Sequence, residues 1–478
     1  MASLAESSTM STAVRNSRIE LTDAVLHRLD RPGPRYTSYP TADRFVEAFG
    51  PREHVQALRE RTTRGAGGGS AALSVYVHIP FCESLCWYCA CNKVITRQHD
   101  KADEYLQALR QELALHAAAL GAAPVVSQLH LGGGTPTFLS DPQLVVLWDI
   151  LRAALRLDDS AEISVEIDPR TASPHRLGHL RNLGVNRISF GVQDFDPQVQ
   201  AAVHRLQPFA QVRDLMQAAR EIDFESINMD LIYGLPRQSP DSFQRTLGQV
   251  IELRPDRIAL YAYAHLPVRF KSQRRIAIEQ LPLPDQRIRM LGGAMAGFMD
   301  AGYEYIGMDH FALPDDALAQ ARRQGLLHRN FQGYSTQPDC DLLGLGVSAI
   351  SRIGPTYSQN AKTLDEYYNA VRQGQFAVVR GLALTRDDLI RRTVIMALMC
   401  QGRVDFESVE LAHLVDMRGY FKHELQALQA LEDLGLVVLD GQAIEVTPAG
   451  WFGVRAIAMV FDAHLRPEQA RERFSRVI

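Results

Sequence analysis

The chain has 478 residues, with 51 lysines and arginines against 55 aspartates and glutamates, so its formal net charge is −4 and nucleic acid is disfavoured as a partner. Hydrophobic residues at 46% and charged residues at 22% are typical of a globular protein, and the length predicts two or three domains. The sequence contains neither an apolar run of the roughly 20 residues that span a bilayer nor an N-terminal apolar signal segment, so we expect a cytoplasmic protein with no membrane span.

Two features of the N-terminal part precede the first predicted strand. Residues 32–40, with the sequence PGPRYTSYP, predict a stiff extended segment, because each proline restricts its own backbone and that of the residue before it. Residues 65–70, GAGGGS, predict a flexible linker. We expect the proline-rich segment to cover the substrate.

The middle of the chain alternates between apolar, β-branched runs and helical patterns, which is typical of a parallel α/β sheet. Helical patterns occupy 101–120, 142–155, 174–183 and 208–222. Because six such units are too few for a closed eight-stranded barrel, they predict an incomplete (β/α)6 barrel with its active site at the carboxyl ends of the strands. The predicted strands are 73–78, 126–131, 163–167, 187–192, 226–232 and 257–263.

The chain after residue 380 is predicted to be mainly helical, with helices at 386–400, 421–434 and 448–461. A hairpin over 436–446 completes a winged-helix-like pattern. The sequence of this region lacks a basic recognition helix, so a lid or docking role is favoured over DNA binding. The expected domains are an N-terminal extension, a barrel with its own extension and a C-terminal helical domain, at 1–70, 71–380 and 381–478.

Four of the six cysteines lie close together, directly after the first predicted strand. Soft thiolates at the C-x3-C-x2-C spacing of Cys82, Cys86 and Cys89 suit an iron–sulfur cluster. Three cysteines leave one iron of a four-iron cubane free to bind and reduce a small molecule. Cys91 lies too close to Cys89 to ligate the same cluster comfortably, so we leave it outside the metal set.

Two other uses of these cysteines are less favoured. A structural zinc site usually takes its ligands from two separate pairs, and the sequence contains no second pair. Disulfides are disfavoured because the chain has few other cysteines and lacks a secretory signal. A zinc-binding interaction module is therefore an alternative to a redox enzyme, but the weaker one.

Motifs around the cysteines resemble a known superfamily. Residues 76–81, YVHIPF, before the cysteine loop and residues 132–136, GGGTP, after the second predicted strand resemble the radical S-adenosylmethionine (radical SAM) superfamily. From about residue 30 to the C-terminus, the chain more closely resembles the oxygen-independent coproporphyrinogen III oxidases of that superfamily. The segments that carry this closer resemblance are 34–41, 89–93, 191–195, 230–236, 307–312 and 328–334.

This resemblance implies a reaction and its cofactors. Two propionate side chains of coproporphyrinogen III would be oxidatively decarboxylated to vinyl groups without oxygen, giving protoporphyrinogen IX. A [4Fe–4S] cluster and two S-adenosylmethionine molecules would generate a 5′-deoxyadenosyl radical that takes hydrogen from the propionate, while the protein supplies position, charge and exclusion of water. The implied partner is a one-electron donor such as a flavodoxin or ferredoxin, and we expect a monomer.

The resemblance also implies roles for single residues. Glu166, Phe331 and Gln332 form the implied catalytic group. The implied cluster ligands are Cys82, Cys86 and Cys89. The residues implied to contact the first S-adenosylmethionine are Tyr76, Tyr88, Gly133, Glu166 and Ile350.

For some of these residues a purely structural role is the alternative. Tyr76 and Ile350 are also suited to an ordinary hydrophobic core. Arg205 can pair with a carboxylate and Asp230 with a cation, which suits a zwitterionic amino acid, but the two could instead form a salt bridge at the strand ends. The residues implied to contact the second S-adenosylmethionine are Gly134, Thr135, Gln193, Arg205, Asp230 and Ala264.

Substrate contacts and the main rival function are also open at this point. Coproporphyrinogen carries four carboxylates, so Arg35, Lys93 and Arg329 are candidates to bind them, with a solvated surface as the alternative. A radical-SAM-like haem chaperone is the rival function. Such proteins lack a cysteine equivalent to Cys91 and carry His-Asn-x-x-Tyr-Trp, whereas this chain has Cys91 and the sequence HRNFQ at 328–332.

Overall fold

The computed structural model describes Leu29 and residues 32–65, 72–121, 123–337 and 339–465. Most of the predicted linker at 65–70 lies outside this described part. The strands of the described part, in chain order, are β1 Leu73–Ile79, β2 Phe81–Cys82, β3 Val94–Ile95, β4 Val125–Gly133, β5 Arg156–Ile167, β6 Arg187–Gln193, β7 Ser226–Tyr233, β8 Arg257–Ala262, β9 Glu304–Gly307, β10 His310–Ala312, β11 His328–Asn330, β12 Gly333–Ser335, β13 Asp341–Leu345, β14 Ile350–Ile353, β15 Thr356–Asn360, β16 Val378–Ala383, β17 Arg403–Asp405, β18 Val437–Leu439 and β19 Ala443–Val446.

One twelve-stranded sheet dominates the fold, in the order β16-β15-β14-β13-β1-β4-β5-β6-β7-β8-β10-β9. Its central strands β1 and β4 to β8 are the six predicted ones, and each pairs with the next in parallel. Antiparallel strands extend the sheet at both edges, β14 to β16 beyond β13 and β9 beyond β10. The predicted incomplete α/β barrel is therefore confirmed. Its sheet contains further strands at both edges in addition to the six predicted ones.

The helices of the barrel lie between the predicted strands. The helix at 101–120 has its predicted bounds, and Ser140 begins the next helix with a capping box in which its side chain accepts from the Gln143 amide. None of the described helices is long and apolar enough to cross a membrane. The α-helices are Pro51–Gly65, Lys101–Leu120, Asp141–Ala154, Pro174–Asn182, Pro197–Ala202, Phe209–Glu221, Pro240–Leu253, Pro284–Asp300, Ala317–Arg323, Leu364–Arg372, Arg386–Gln401, Phe406–His413, Met417–Tyr420, Lys422–Glu432, Pro448–Phe452 and Val454–Ala458.

Two predicted elements were wrong in extent. Strand β5 begins at Arg156 instead of 163, because its first two residues pair with Val125 and Val126 of β4 before the register shifts. Most side chains in its first half are exposed. The predicted helix at 448–461 is broken at Gly453 into two short helices and a 3-10 turn. A Cβ at Gly453 would lie 2.7 Å from Leu29 Cδ1, so the break coincides with close packing from the other end of the chain.

The C-terminal region combines helices with a small antiparallel sheet. The predicted hairpin is present as β18 and β19, and β17, which the sequence did not indicate, pairs with β19. Helix Arg386–Gln401 packs directly against β17. The prediction of a mainly helical, winged-helix-like region is therefore confirmed, while the expected divisions at residues 70 and 380 stay predictions.

The proline-rich segment at 32–40 packs between the barrel and this C-terminal region. Tyr36 and Tyr39 are fully buried. The Tyr36 hydroxyl donates to Asp462 Oδ2 at 2.9 Å, and the amide of Ala463 donates to the Tyr39 hydroxyl at 3.1 Å. The segment is therefore part of the hydrophobic core as well as a covering of the barrel.

A buried carboxylate joins the helix Lys101–Leu120 to the extended edge of the sheet. Glu112 Oε2 accepts hydrogen bonds from the Gly346 amide and the Tyr367 hydroxyl, both at 2.7 Å. Its other oxygen, Oε1, accepts from Asn360 Nδ2 at 2.6 Å. Burial raises the pKa of Glu112 to about 7, against the opposing effect of these hydrogen bonds.

Replacing Glu112 with Ala is expected to lower the free energy of unfolding by about 3 kcal/mol or more, because three buried donors lose their acceptor at about 1–3 kcal/mol each. Glu112→Gln keeps one acceptor oxygen and should cost less. The folded-state pKa lies above the ordinary value of 4.5, so wild-type stability relative to Glu112→Gln should fall as the pH rises from 4.5 to about 7. Denaturant unfolding of the anaerobic protein at both ends of this pH range measures the difference.

The matched control is Glu104→Ala, which removes a half-exposed carboxylate from the same helix and should have little effect. If Glu112→Ala and Glu104→Ala were equally stable, the hydrogen-bonded carboxylate would not be what holds this helix to the sheet.

Candidate active site

The cysteine loop leaves the sheet at the end of β1 and is fixed at its base. β2 and β3 pair with each other and close the loop. His78 Nε2 lies 3.0 Å from the carbonyl oxygen of Asn92, and Lys93 Nζ donates to the carbonyl oxygens of Cys89 at 3.1 Å and Cys91 at 3.3 Å. The Lys93 ammonium group therefore holds the loop together, which is a structural role for a residue predicted to bind substrate.

The loop borders a cavity of about 270 Å³ at the carboxyl ends of the parallel strands, which we call the main cavity. Its position agrees with the expectation for a parallel barrel. The predicted residues that line it are Cys82, Cys86, Tyr88, Cys89, Cys91, Lys93, Gly133, Gly134, Thr135, Glu166, Gln193, Arg205 and Asp230. Residues that line it without having been predicted as site residues are Ser84, Ile167, Asp168, Arg170, Ser189, Gly191 and Tyr261.

The three predicted ligand cysteines fit a [4Fe–4S] cluster. Cys82, Cys86 and Cys89 all border the main cavity. Cys86 Sγ accepts hydrogen bonds from Arg170 Nη2 at 3.4 Å and Arg205 Nη1 at 3.5 Å. Two guanidinium groups therefore lie beside this sulfur, where they would offset the negative charge of a cluster held by the three thiolates.

Cys91 borders the same cavity. A hydrogen bond between its side chain and that of Cys89 lowers the pKa of Cys89 and raises the pKa of Cys91. The exclusion of Cys91 from the ligand set therefore stays a prediction, which the variants at the end of this section test.

The glycine loop after β4 lies directly against the cysteine loop. Gly133 has a φ of +114°, and a Cβ there would lie 2.5 Å from the His78 ring. A Cβ at Gly134 would lie 2.6 Å from the carbonyl oxygen of Pro80. Packing between the two loops therefore already requires glycine at 133 and 134. The predicted close approach of a ligand would be a further reason.

Two carboxylates face the main cavity, Glu166 from β5 and Asp230 from β7, with β6 between these strands. Burial opposes ionisation of Glu166, but His130, at 3.4 Å from Oε1, and the Gly133 amide, at 3.0 Å from Oε2, outweigh it and lower its pKa. Burial, and then the charge of Glu166, raise the pKa of Asp230 to about 6. The two carboxylates therefore differ in acidity, and Glu166 is the stronger acid.

Arg205 pairs with Asp168 and not with Asp230. Its two terminal nitrogens each lie 3.2 Å from one oxygen of Asp168. Burial opposes this carboxylate, but Arg205 and Arg170 lower the pKa of Asp168 to about 2. Asp230 instead accepts from the Ser189 hydroxyl at 3.0 Å and from Asn228 Nδ2 at 2.9 Å, so the alternative of an Arg205–Asp230 salt bridge is wrong.

The sequence placed Asp168 at the end of a predicted strand but gave it no function. Asp168 begins a 3-10 turn, with its side chain accepting from the Arg170 amide, and this turn brings the Arg170 side chain to Cys86. An aspartate followed by proline at a strand end is the signal that could have indicated such a turn.

Five predicted site residues do not line the main cavity. Tyr76 lies on β1, where its hydroxyl is 3.0 Å from His78 Nδ1 and its ring stacks on His130. The Ala264 carbonyl oxygen accepts from Gln273 Nε2, which also donates to the carbonyl oxygen of Tyr88. Ile350 lies outside the main cavity at the start of β14. Phe331 and Gln332 lie outside it in the turn between β11 and β12.

Comparison with known proteins identifies the class of the fold and site. The model of the radical SAM superfamily matches residues 76–250, and the model of the HemN C-terminal domain matches residues 384–452. The fold and the cysteine loop are thus those of a radical SAM enzyme.

Full-length relatives define the family more closely. The chain is 50% identical to the oxygen-independent coproporphyrinogen III oxidase of Pseudomonas aeruginosa over 95% of this chain and 98% of that protein. It is also 50% identical to the protein of the same name from Escherichia coli over the same shares. A solved structure of Escherichia coli coproporphyrinogen III oxidase (HemN), described as a radical SAM enzyme, superimposes with a TM-score of 0.88 at 48% identity, covering 94% of this chain and 100% of that one. The chain belongs to the oxygen-independent coproporphyrinogen III oxidase family.

Replacing Cys82, Cys86 or Cys89 with Ser is expected to abolish the cluster, because a hydroxyl is a poor substitute for a soft thiolate. Cys91→Ser should retain it. Iron and sulfide per chain, and the visible absorbance of anaerobically reconstituted protein, measure the outcome.

Cys340→Ser serves as the control, since Cys340 is a partly buried cysteine outside the main cavity. An equal loss of iron in the Cys91 and Cys86 variants would contradict the proposed ligand set. A colourless protein that holds zinc and takes up no iron would support the structural zinc site instead.

Proposed function

We propose that the protein converts two propionate side chains of coproporphyrinogen III to vinyl groups without oxygen, giving protoporphyrinogen IX in haem biosynthesis. The observation that carries this function is the 50% identity, over nearly the whole of both chains, to proteins named oxygen-independent coproporphyrinogen III oxidase. The cysteine loop at the carboxyl ends of the barrel strands is the matching chemical feature.

The bound cofactors would supply the reducing electron and the radical that removes hydrogen from the substrate. We propose that Cys82, Cys86 and Cys89 hold the [4Fe–4S] cluster. The adjacent Arg170 and Arg205 would then offset the negative charge of the thiolates, because both guanidinium groups contact Cys86 Sγ. The protein would also hold the substrate in place and exclude water from the main cavity.

We propose that two S-adenosylmethionine molecules bind at separate parts of the main cavity. Tyr88, Gly133 and Glu166 lie beside the cysteine loop and suit the first molecule, with Tyr76 and Ile350 outside the cavity wall. Gln193 and Asp230 come from later strands and suit the second. The residues proposed to complete that second group are Gly134, Thr135, Arg205 and Ala264.

Asp230 suits the ammonium group of the second molecule. Its carboxylate faces the main cavity and has only neutral donors, Ser189 and Asn228, as hydrogen-bond partners within the described residues. A cation would therefore supply the charge compensation that its surroundings lack.

Asp230→Asn is expected to lower the bound S-adenosylmethionine from two equivalents towards one. In the unmodified protein, binding of the second equivalent should weaken as the pH falls below about 6, because Asp230, with a pKa of about 6, must then lose a proton before it can pair with a cation. The affinity should fall by about tenfold for each pH unit below that value. Anaerobic equilibrium dialysis over this pH range provides the measurement.

The Asp230→Asn variant is also the control for pH, since its remaining equivalent should not follow the same pH dependence. A single equivalent in the unmodified protein at pH 8 would exclude the two-molecule proposal without affecting the proposed reaction.

The reaction itself is tested by anaerobic turnover. Reduced holoprotein with S-adenosylmethionine and coproporphyrinogen III should form protoporphyrinogen IX, detected as the fluorescent porphyrin after oxidation, whereas Cys82→Ser should form none. The proposed catalytic group, Glu166, Phe331 and Gln332, can be compared in the same assay. Tight haem binding without any turnover would favour the alternative of a haem chaperone.

The partners remain part of this proposal. We propose a flavodoxin or ferredoxin as electron donor, because the cluster must receive electrons one at a time. We also propose a cytoplasmic monomer, because free thiols such as those of this chain persist in reducing compartments and a single chain supplies the residues that line the main cavity. Size-exclusion chromatography under anaerobic conditions tests the oligomeric state.

A further inference from the structure

A second cavity, of about 120 Å³, lies inside the barrel next to the main cavity. We call it the inner cavity. Both cavities are lined by Glu166, Ser189, Asp230 and Tyr261, so the two meet at these residues. One wall of the inner cavity is formed by aromatic and polar side chains that do not reach the main cavity, namely His310, Gln332 and Tyr334.

Buried polar atoms without partners are concentrated at this wall. Both amide atoms of Gln332 and Nδ1 of His310 are buried and have no hydrogen-bond partner among the described residues. Arg329, which is only 5% exposed, has a buried Nη1 that likewise has none within this part of the chain. Because each such group costs about 1–3 kcal/mol, three of them in one place indicate a site completed by a ligand.

Two arginines lie behind the aromatic rings of this wall, and neither lines the inner cavity itself. Arg35 lies over the Tyr261 ring at 5.0 Å and Arg329 over the Tyr334 ring at 4.7 Å, with His310 packed edge-on between these two rings. Arg329 Nε donates to the backbone carbonyl of Arg35 at 3.3 Å, so the two arginines are neighbours.

A third arginine, Arg455, donates a hydrogen bond to the backbone carbonyl of Gly33, two residues before Arg35. Burial, and then the charges of Arg455 and Arg329, lower the pKa of Arg35 to about 9. One carboxylate, Asp309, forms an ion pair with Arg35. Among the described residues, the carboxylates that line the inner cavity are Glu162, Glu166 and Asp230, and Glu162 forms an ion pair with Arg187.

We propose that Arg35 and Arg329, together with Gln332, bind one carboxylate group of the substrate beside the wall of the inner cavity. Guanidinium and amide N–H groups are the donors that carboxylates prefer, and Arg329 Nη1 and Gln332 Nε2 are available for this use. This inference rests on the proposed function, which supplies a substrate with four carboxylates.

The carboxylate bound here belongs to a propionate that is not reacting. The carboxylate group of a reacting propionate leaves as neutral carbon dioxide, while its other two carbons stay as the vinyl group. Strong pairing of that carboxylate with arginine would therefore stabilise the ground state and oppose the reaction. A propionate elsewhere on the same macrocycle gains only position from such pairing. Arg35 and Arg329 are thus residues that position the substrate. Phe331 lies in the turn that follows Arg329.

The test measures porphyrin binding separately from turnover. Coproporphyrin III, the fluorescent oxidised form of the substrate, is titrated into anaerobic holoprotein, and its tetra-amide, which has the same ring but no carboxylates, is titrated in parallel. Arg329→Gln is expected to weaken binding of coproporphyrin III by about 10-fold to 100-fold, the effect of losing a hydrogen bond between charged groups. Binding of the tetra-amide should change by less than about threefold, and Arg329→Lys should recover part of the loss.

Two further variants keep the result interpretable. Arg35, whose side chain is 27% exposed, can be replaced by Gln with less risk to the fold, and it should show the same selective loss. Arg322→Gln is the matched control, because Arg322 lies over the Trp451 ring at 5.3 Å, in the same kind of stacked arrangement, but lines neither cavity. It should leave both titrations unchanged.

Unchanged binding of coproporphyrin III in Arg329→Gln and Arg35→Gln would overturn the inference. So would an equal loss for the acid and the tetra-amide, which would indicate that the arginines only support the fold. Iron content and S-adenosylmethionine binding are measured on each protein. Absence of turnover in unmodified protein that binds coproporphyrin III in this arginine-dependent way would count against the proposed reaction and not against the carboxylate site.

Discussion

The parallel register between β1 and β4 is the constraint on which the candidate active site depends. It pairs Ile79 with Gly133, so the cysteine loop and the glycine loop leave the sheet side by side. The Gly134 amide donates to the Ile79 carbonyl oxygen at 2.8 Å, and no larger residue fits against the Pro80 carbonyl at that point. Because a shift of one residue would turn every side chain to the opposite face, the hydrophobic pattern of β1 also fixes where the thiols lie.

The sequence predicted the fold well where burial determines it. Strands of a parallel sheet are covered on both faces, so β1, with Val75 and Val77 fully buried, forms a short apolar run that is easy to recognise. The first half of β5 was missed because its side chains are mostly polar and exposed, and only its first two residues pair with β4 before the register shifts. The break at Gly453 was missed because its packing partner, Leu29, lies at the other end of the chain.

The candidate site also contains residues that the sequence could predict and contacts that it could not. Residues at strand ends could be assigned to one edge of the barrel, and most of the residues implied by the family resemblance do line the main cavity. Position along a strand does not give the direction of a long side chain, however. The bidentate contact of Arg205 with Asp168 and the unpartnered amide of Gln332 depend on rotamers and on turns between strands, so the sequence pattern could not indicate either.

The segment at 32–40 connects the site with the C-terminal region. Arg35 lies over Tyr261 of the barrel, while the adjacent Tyr36 donates to Asp462 beyond the last described helix. Any movement that uncovered the barrel would therefore break buried contacts with the C-terminal region as well. Removal of the whole segment would also remove the buried side chains of Tyr36 and Tyr39 from the core, so single substitutions of Arg35 separate substrate binding from folding where a truncation cannot. The residues predicted to cover the substrate are thus the same few that join the barrel to the C-terminal region.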